Sequence, residues 1–404
     1  MPSELIIQLQ QPNGDFICEK FDNFPAPKSA YVAICFTNTA QAAQLAEELK
    51  VSFINAIQNL GSVRSMPSCG SSSVGFDRCR ALSVNDNTKL LVVVTDGLSN
   101  DFAEPAILGW TYDKLPVVKA GIPVTLPTPF EEINAVFWKG AIDEIVPTLF
   151  GLTGISDIEQ RIFISYRRSD ASEFAIQLFN RLGQEGFEVF LDRFSINPGV
   201  NFQTRLYQEL ADKAMVLFVE TPEYMESGWV QKEIDFAKKY RLGLYVVNID
   251  NAPKVKSLDD EFRHPVTLNT ARELDPVALD ELVLLIRQQH AVAIYRMRNY
   301  LSTNITTALF DKGGAPQTDP NGFIVVADRA GTNEYSIWAT PRPPVVNDYH
   351  HSDTSNQAGR TMVMVGPEFM EQKREIVNAW LCGKTAVHFY NEGEILELCN
   401  QIYP

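Results

Sequence analysis

The sequence predicts an α/β protein built from parallel, helix-covered sheets in three successive blocks. Short and wholly apolar runs of strand length alternate with longer stretches whose apolar residues recur at helical spacing. Strands that are apolar on both faces are typical of parallel sheets, because helices cover both sides of such sheets. The length of 404 residues suits two to four domains, at roughly 100–200 residues each.

The first block has three strand-like runs and one stretch of helical spacing. The strand-like runs are Tyr31–Phe36, Leu90–Thr95 and Ile122–Leu126. Ala40–Leu60 carries apolar residues at helical spacing, so it is predicted as a helix. Ser68–Ser73 matches no phosphate-binding spacing, which favours a turn or small loop. We predict an N-terminal α/β domain over residues 1–155, with a sensor or regulatory role left open.

The second block, after the glycine-containing joint Gly151–Ser156, alternates most regularly. Its predicted strands are Ile162–Tyr166, Phe187–Leu191, Ala214–Val219 and Gly243–Ile249. Its predicted helices are Ala171–Gln184, Phe202–Lys213 and Trp229–Tyr240, and Asp275–Leu309 follows as one or two helices. Together they predict a domain with a parallel sheet over residues 157–290.

The third block is also predicted to be α/β, with an irregular first half. Its predicted strands are Gly322–Ala327, Thr361–Val365 and Thr385–Tyr390. A helix is predicted near Glu368–Leu381, and Pro341–Val345 is a proline-rich loop. We assign residues 291–404 to this third domain, whose role the pattern does not specify.

Charge and hydropathy exclude two classes of partner. The 35 Lys and Arg residues face 50 Asp and Glu residues, and no segment carries the clustered positive charge that nucleic acid or an anionic membrane requires. Apolar runs such as Leu90–Val94 are far shorter than the about 20 residues that cross a bilayer. Met1–Glu4 lacks a basic region followed by a long apolar core. We therefore expect a cytoplasmic protein without nucleic-acid or membrane partners.

Cysteine and histidine usage gives no indication of a metal site or a disulfide scaffold. The six cysteines form no Cys-x-x-Cys pair, and a small secreted domain would use them more densely. His350 and His351, followed by Asp353, have metal-binding chemistry, but a solvated loop is the simpler interpretation. We expect neither a metal nor a cofactor.

Polar and cationic residues follow the first strand of the second block. This strand ends in Ser165, Tyr166, Arg167 and Arg168, and the carboxyl edge of an open α/β sheet is where ligands bind. Two arginines can pair with the oxygens of a diphosphate through charge-assisted bidentate contacts. A solvated arginine pair after a strand is also common, so the pattern alone leaves both interpretations open.

Three segments in this block resemble the signature boxes of the TIR (Toll/interleukin-1 receptor) domain family. They are Phe163–Arg168 (Phe-Ile-Ser-Tyr-Arg-Arg), Gly186–Asp192 (Gly-Phe-Glu-Val-Phe-Leu-Asp) and Trp229–Ile234 (Trp-Val-Gln-Lys-Glu-Ile). The resemblance covers roughly residues 161–275 and is closest to the bacterial NAD-cleaving branch. It implies a flavodoxin-like domain with five parallel strands.

The resemblance also implies a catalytic role for Glu233. Enzymatic members carry a glutamate on the helix after the fourth strand, and Glu233 occupies that place. Cleavage between nicotinamide and ribose passes through a positively charged, oxocarbenium-like sugar that a carboxylate stabilises. Nicotinamide leaves as a neutral base, so no strong general acid is needed, and NAD+ is a substrate rather than a cofactor. The alternative is that Glu233 lies on a solvated helix face.

The same resemblance implies the substrate-binding residues, which are Ser165, Tyr166, Arg167, Arg168, Asp192, Phe202 and Trp229. In the family, the loop from Asp192 to Phe202 gates the site and mediates head-to-tail contacts between TIR domains. Phe202 suits stacking on a base, but its helical spacing from Leu206 suits a core role equally well. Glu220-Thr221-Pro222 stands where many relatives carry a serine, and Asn197 stands where some carry an acidic residue.

The third block has weak internal sequence similarity to the middle block. Residues 362–371 are similar to residues 215–226, including a Pro-Glu-aromatic-Met-Glu run. One hypothesis is that both flanks are diverged Rossmann-like relatives without catalysis of their own, since neither has a Ser-Tyr-Arg-Arg box. The general likeness of α/β sequences explains this similarity equally well.

Three functional hypotheses follow. The first, implied by the resemblance, is cleavage of NAD+ to nicotinamide and either ADP-ribose or a cyclic isomer of ADP-ribose. The flanking domains and self-association would regulate this activity, and its role would be bacterial antiviral defence. The second is a non-enzymatic scaffold that recruits other TIR domains. The third adds a nucleotide second messenger or protein trigger bound by a flank, and the strand edge near residues 36–38 and 95–97 is the natural place for it.

Overall fold

Helix-covered parallel strands recur in three sheets within the described part of the chain, which confirms the predicted α/β class. The computed structural model divides the chain into two compact units, Met1–Ser156 with Thr318–Gly322, and Asp157–Gln317 with Phe323–Pro404. It describes residues 4–13, 16–22, 24, 26, 29–59, 64–65, 88–99, 101, 113–121, 130, 135–138, 141–155, 160–191, 202–224, 230–258, 263–319, 322–354, 359–368 and 372–404.

The first unit contains a mixed sheet with the strand order β4-β2-β1-β3-β5-β6-β7. The strands are β1 (Glu4–Gln10), β2 (Phe16–Asp22), β3 (Ala30–Phe36), β4 (Arg64–Ser65), β5 (Thr88–Thr95), β6 (Asp113–Lys119) and β7 (Val136–Trp138), with helices α1 (Ala40–Asn59) and α2 (Val146–Leu152). Strand β2 pairs antiparallel with β1 and β4, whereas β1, β3, β5, β6 and β7 run parallel.

The strongest predictions for this unit are confirmed. Strands β3 and β5 and helix α1 fall on the predicted apolar segments, and β3 is buried along its whole length. The antiparallel β1–β2 hairpin was not predicted, because Gln8 and Gln10 interrupt the apolar run and are nevertheless buried. The predicted strand Ile122–Leu126 and the predicted loop Ser68–Ser73 lie outside the described residues.

The second unit begins with an all-parallel sheet of five strands, as the family resemblance implied. Its strands are β8 (Arg161–Ser165), β9 (Glu188–Leu191), β10 (Met215–Glu220), β11 (Gly243–Ile249) and β12 (Arg263–Val266), and its helices are α3 (Arg168–Gln184), α4 (Phe202–Ala211), α5 (Val230–Lys239) and α6 (Pro276–Asp311). The spatial order β12-β11-β10-β8-β9 corresponds to the flavodoxin-like order 2-1-3-4-5.

This strand order creates a switch point between β8 and β10, where the chain changes direction across the sheet. Helices α3 and α6 cover one face, with buried residues such as Phe174 and Ile286. Helices α4 and α5 cover the other face, with residues such as Leu206 and Ile234. The order also corrects one expectation, because the helix that carries Glu233 follows the third strand of this sheet rather than the fourth.

Helix α6 packs against two sheets of the second unit. Its first half contributes Leu282 to the core of the parallel sheet, and its second half contributes Leu301 to the core of the third sheet. The segment predicted as one or two helices is thus a single helix of 36 residues. The predicted boundary between 157–290 and 291–404 falls inside it, and the division into three domains stays a prediction. Among the described helices, none is long and apolar enough to cross a membrane.

The third sheet has the order β13-β14-β15-β16-β17. Its strands are β13 (Gln317–Thr318), β14 (Ile324–Ala327), β15 (Glu334–Ala339), β16 (Arg360–Gly366) and β17 (Val387–Asn391), with helices α7 (Val346–Thr354), α8 (Gln372–Cys382) and α9 (Ile395–Ile402). Strands β15, β16 and β17 are parallel, and β14 is antiparallel to β15. The strands follow chain order, unlike those of the flavodoxin-like sheet, so the proposed kinship of the flanks stays a prediction.

Helix α7 corrects the interpretation of the histidine pair. His350 and His351 lie in this helix, not in a solvated loop. The ring of His351 stacks on Phe323 at a centroid distance of 5.3 Å and meets Trp338 edge-on at 4.6 Å. No group of three or more His, Cys, Asp or Glu side chains among the described residues is arranged to hold a metal ion.

A buried ion-pair network lies at the amino end of β8. The carboxylate of Asp212 accepts hydrogen bonds from Arg161 and Arg374, each at 2.9 Å, and Lys213 lies 3.1 Å away. Arg161 begins β8, whereas Arg374 lies on α8 beside the third sheet. Burial raises the pKa of Asp212, but Lys213, Arg161 and Arg374 outweigh burial and hold this pKa below its ordinary value.

We predict that Asp212→Asn lowers the free energy of unfolding by about 3–5 kcal/mol at neutral pH, because buried Arg161 loses the nearer of two carboxylates, Asp212 at 2.9 Å and Glu188 at 3.5 Å. Because the pKa of Asp212 is lowered in the folded protein, its contribution is complete above the ordinary pKa of 3.8 and is lost below it. Urea unfolding should show a constant difference from wild type between about pH 5 and 7 and a smaller difference below about pH 4.

The matched control is Asp250→Asn, which alters the exposed pair between Asp250 and Arg272. An exposed pair contributes at most about 1 kcal/mol, so this variant should unfold nearly as wild type does. Equal effects of the two substitutions would contradict the role assigned to the buried network.

Candidate active site

Glu233 lies in the first turn of α5, on the side of the helix that faces the sheet. Only 8% of its surface is exposed, and its buried neighbours on the helix are Val230, Ile234 and Ala237. The alternative of a solvated helix face therefore does not hold. The positive end of the helix dipole at this first turn favours a negative side chain. Helix α5 thus brings a carboxylate to the carboxyl edge of the sheet.

Ser165, the last residue of β8, is the hydrogen-bond partner of Glu233. Its hydroxyl donates to Oε2 of Glu233, and the serine is 2% exposed. Because β8 and β10 are neighbours at the switch point, the end of β8 meets the chain that leaves β10. The structure therefore brings two of the predicted site residues into direct contact.

Tyr224, in the turn after β10, completes a chain of three polar groups. Its hydroxyl oxygen lies 2.7 Å from Oγ of Ser165, and the residue is 1% exposed. Burial and the negative charge of Glu233 raise the pKa of Tyr224 well above its ordinary value, so the phenol stays protonated. Sequence reasoning did not single out Tyr224. The signal that points to it is its position just after a buried strand, the same signal that identified Ser165.

The two arginines of the first box lie at the amino end of α3. Arg167 occupies the N-cap position and forms an ion pair with Glu223, whereas Arg168 begins the helix and is exposed. Arg168 and the positive end of a 17-residue helix favour an anion at this edge, whereas Glu223, which pairs with Arg167, and Asp170 in the first turn oppose one. Tyr166, between Ser165 and the arginines, is instead packed into the core that α3 covers, and its contact with a ligand stays a prediction.

The side chains of three predicted substrate-binding residues are not described by the structure. Asp192 and Trp229 lie outside the described residues, as does the loop that contains Asn197. Phe202 is the first residue of α4, but its side chain is not among those described. Their roles stay predictions.

Glu220, which stands near the place where relatives carry a serine, has a structural role. It is fully buried at the end of β10 and forms hydrogen bonds to Nε and Nη2 of Arg263, at 2.9 and 3.0 Å. Its carboxylate also accepts from Asn248 and from the backbone N–H of Val255, each at 2.9 Å. These bonds link β10 to β11 and β12. The next residue, Thr221, is buried, and its hydroxyl has no hydrogen-bond partner in the described part of the chain.

The carboxyl edge of the sheet in the first unit differs electrostatically from this site. Asp96 is buried there, accepting hydrogen bonds from Oγ1 of Thr39 at 2.6 Å and from the backbone N–H of Leu98 at 3.0 Å. Thr37 and Thr95 bond to each other beside it. A buried carboxylate repels phosphate. These residues therefore give no electrostatic support to a nucleotide ligand at this edge.

Fold and site together define a class of protein. The middle of the chain is a flavodoxin-like domain whose switch point holds a buried carboxylate backed by two hydroxyls, and two arginines lie at the amino end of α3. Comparison with protein families agrees, because residues 162–283 match the model of the TIR domain. This segment of the chain is a TIR domain.

Two curated relatives match part of the chain at low identity. The NAD(+) hydrolase PdTIR of Paracoccus denitrificans (strain Pd 1222) is 25% identical over 121 residues, which are 30% of this chain and 37% of that protein. The probable 2' cyclic ADP-D-ribose synthase BdTIR of Brachypodium distachyon is 26% identical over 107 residues, which are 26% of this chain and 47% of that protein. The similarity thus covers less than half the length of either relative.

We predict that Glu220→Gln destabilises the fold strongly, whereas Glu223→Gln does not. Glu220 forms a buried bidentate pair with Arg263, and loss of its charge should cost about 2–4 kcal/mol. Glu223 is more than half exposed, so loss of its pair with Arg167 should cost less than about 1 kcal/mol. Urea unfolding of the two variants measures the difference, and a reversed order would show that the structural role is wrongly assigned.

Proposed function

We propose that the TIR domain of this protein cleaves NAD+ between nicotinamide and ribose. The observation that carries the proposal is the buried carboxylate of Glu233, fixed by Ser165 at the switch point of the sheet. The names of the two relatives support it, since one is an NAD(+) hydrolase and the other a probable cyclic ADP-D-ribose synthase. The products are nicotinamide and ADP-ribose, or a cyclic isomer of ADP-ribose.

The chemistry requires stabilisation of positive charge. The bond between the nicotinamide nitrogen and C1′ of the ribose breaks, and its electron pair leaves with nicotinamide. The sugar becomes oxocarbenium-like, and the carboxylate of Glu233 stabilises this charge most effectively when water is excluded. In hydrolysis, the oxygen of a water molecule then bonds to C1′ and the water proton passes to solvent.

Substrate binding uses the two arginines at the amino end of α3. NAD+ carries its negative charge on a diphosphate, which Arg167, Arg168 and the amino end of α3 attract. The net charge of −15 is spread along the chain, so it does not prevent a local cationic site. The positive and negative side chains therefore act on different parts of one substrate. The arginines attract its diphosphate, and Glu233 stabilises its reacting sugar.

The wider role is also part of the proposal. Regulation by the flanking sheets is supported by the contacts of α6 and Arg374, which connect the TIR sheet to the third sheet. Self-association through TIR domains and a bacterial antiviral defence role follow from the family resemblance. We keep a nucleotide or protein trigger and a cytoplasmic location as proposals.

The decisive test incubates the full-length protein with NAD+ under crowding and follows nicotinamide and ADP-ribose products by chromatography and mass spectrometry. We expect cleavage by wild type and a loss of at least about 100-fold in Glu233→Gln, which keeps the shape of the side chain but removes its charge. The matched control is Asp235→Asn, on the exposed face of the same helix. NAD+ that stays intact over hours with wild type would overturn the proposal in favour of a TIR scaffold.

A second expectation concerns the ion pair between Arg167 and Glu223. Because Glu223 competes with a diphosphate for Arg167, Glu223→Gln should lower KM for NAD+ about two- to fivefold and leave kcat unchanged. Arg167→Ala should raise KM. Steady-state kinetics at low salt measure both, and an unchanged KM in both variants would show that Arg167 does not contact the substrate.

A further inference from the structure

Three side chains from three separate elements form one hydrogen-bonded chain at the site. Ser165 ends β8, Tyr224 lies in the turn after β10, and Glu233 lies in the first turn of α5. Oγ of Ser165 contacts both of the others, and all three residues are at least nine-tenths buried. The arrangement exists only when the three elements are folded together.

The direction of the hydrogen bonds follows from the protons available. An ionised carboxylate only accepts, so the single hydroxyl proton of Ser165 is donated to Glu233. Oγ of Ser165 then remains an acceptor, and the phenol of Tyr224 donates to it. Donors that act in series polarise one another, so the phenol strengthens the bond from Ser165 to Glu233.

Tyr224 is the rigid end of this chain. Its ring belongs to the core that also contains Phe218 and Val230, and its backbone N–H donates to the carbonyl of Thr221 at 3.1 Å. A serine hydroxyl alone rotates freely about one bond, whereas a second partner at 2.7 Å restricts it. The orientation of Ser165, and through it that of Glu233, is therefore set by a packed aromatic ring.

From this geometry we infer that Tyr224 is a positioning residue, which acts through Ser165 to hold the carboxylate of Glu233 where positive charge develops on the sugar. The inference rests on the proposed NAD+ cleavage. Charge stabilisation depends on a carboxylate held within a fraction of an ångström of its productive place, and loss of the supporting hydroxyl lets it move. The cost should appear in the chemical step rather than in substrate binding.

The test measures kcat and KM for NAD+ with the full chain and four variants. Tyr224→Phe should lower kcat about tenfold, the equivalent of one hydrogen bond, and leave KM within about twofold. Ser165→Ala should lower kcat further, because it removes the direct donor to Glu233. In the Ser165→Ala background, Tyr224→Phe should have no additional effect, since Tyr224 acts only through Ser165. The fourth variant, Tyr245→Phe, removes a buried hydroxyl from neighbouring β11 and should keep wild-type kcat.

The outcomes distinguish the positioning role of Tyr224 from the proposed cleavage of NAD+. An unchanged kcat in Tyr224→Phe, alongside an inactive Glu233→Gln, would overturn the positioning role and leave NAD+ cleavage standing. Equal losses from Tyr224→Phe in both backgrounds would also overturn it, because an additive effect shows that Tyr224 acts independently of Ser165. A wild-type protein that does not cleave NAD+ would overturn both. Thermal melting of every variant shows whether lower kcat comes from unfolded protein.

Discussion

A carboxylate removed from water needs hydrogen-bond donors, and the arrangement of the TIR domain around Glu233 follows from this requirement. One such donor is Ser165, which reaches Glu233 because β8 ends where the chain leaves β10 for α5. The strand order, the position of α5 and the turn at Tyr224 together place the three side chains in contact. The position of this buried carboxylate thus depends on the order of the strands in the sheet.

Strand β8 has a different polar group at each of its ends. Ser165 at its carboxyl end contacts Glu233, and Arg161 at its amino end contacts Asp212 in the network that reaches Arg374. The two ends are only about 13 Å apart along five residues of strand. Because its middle is fully buried and paired with two neighbours, the strand holds its two ends at a fixed separation.

Sequence reasoning predicted the elements with strong local signals and the residues within family motifs. Strands β8–β11 stand out because they are apolar runs bounded by polar turns, and Glu233 was found through its motif. Tyr224 follows a buried strand, but this local signal does not reveal its contact with Ser165, which joins residues 59 positions apart. The β1–β2 hairpin was missed because buried Gln8 and Gln10 interrupt the apolar pattern of β1, and α7 was missed because its polar sequence resembles a loop. Asp192 and Trp229 stay predictions, since they lie outside the described residues.

Helix α6 has a thermodynamic consequence. At 36 residues it is about 54 Å long, and each half closes the core of a different sheet. An isolated helix gains little stability from its own hydrogen bonds, so each half depends on the sheet beneath it. Melting of one sheet therefore frays the helix and exposes the core of the other. We therefore expect the second unit to unfold as one cooperative body, in which the TIR sheet shares the stability of its neighbour.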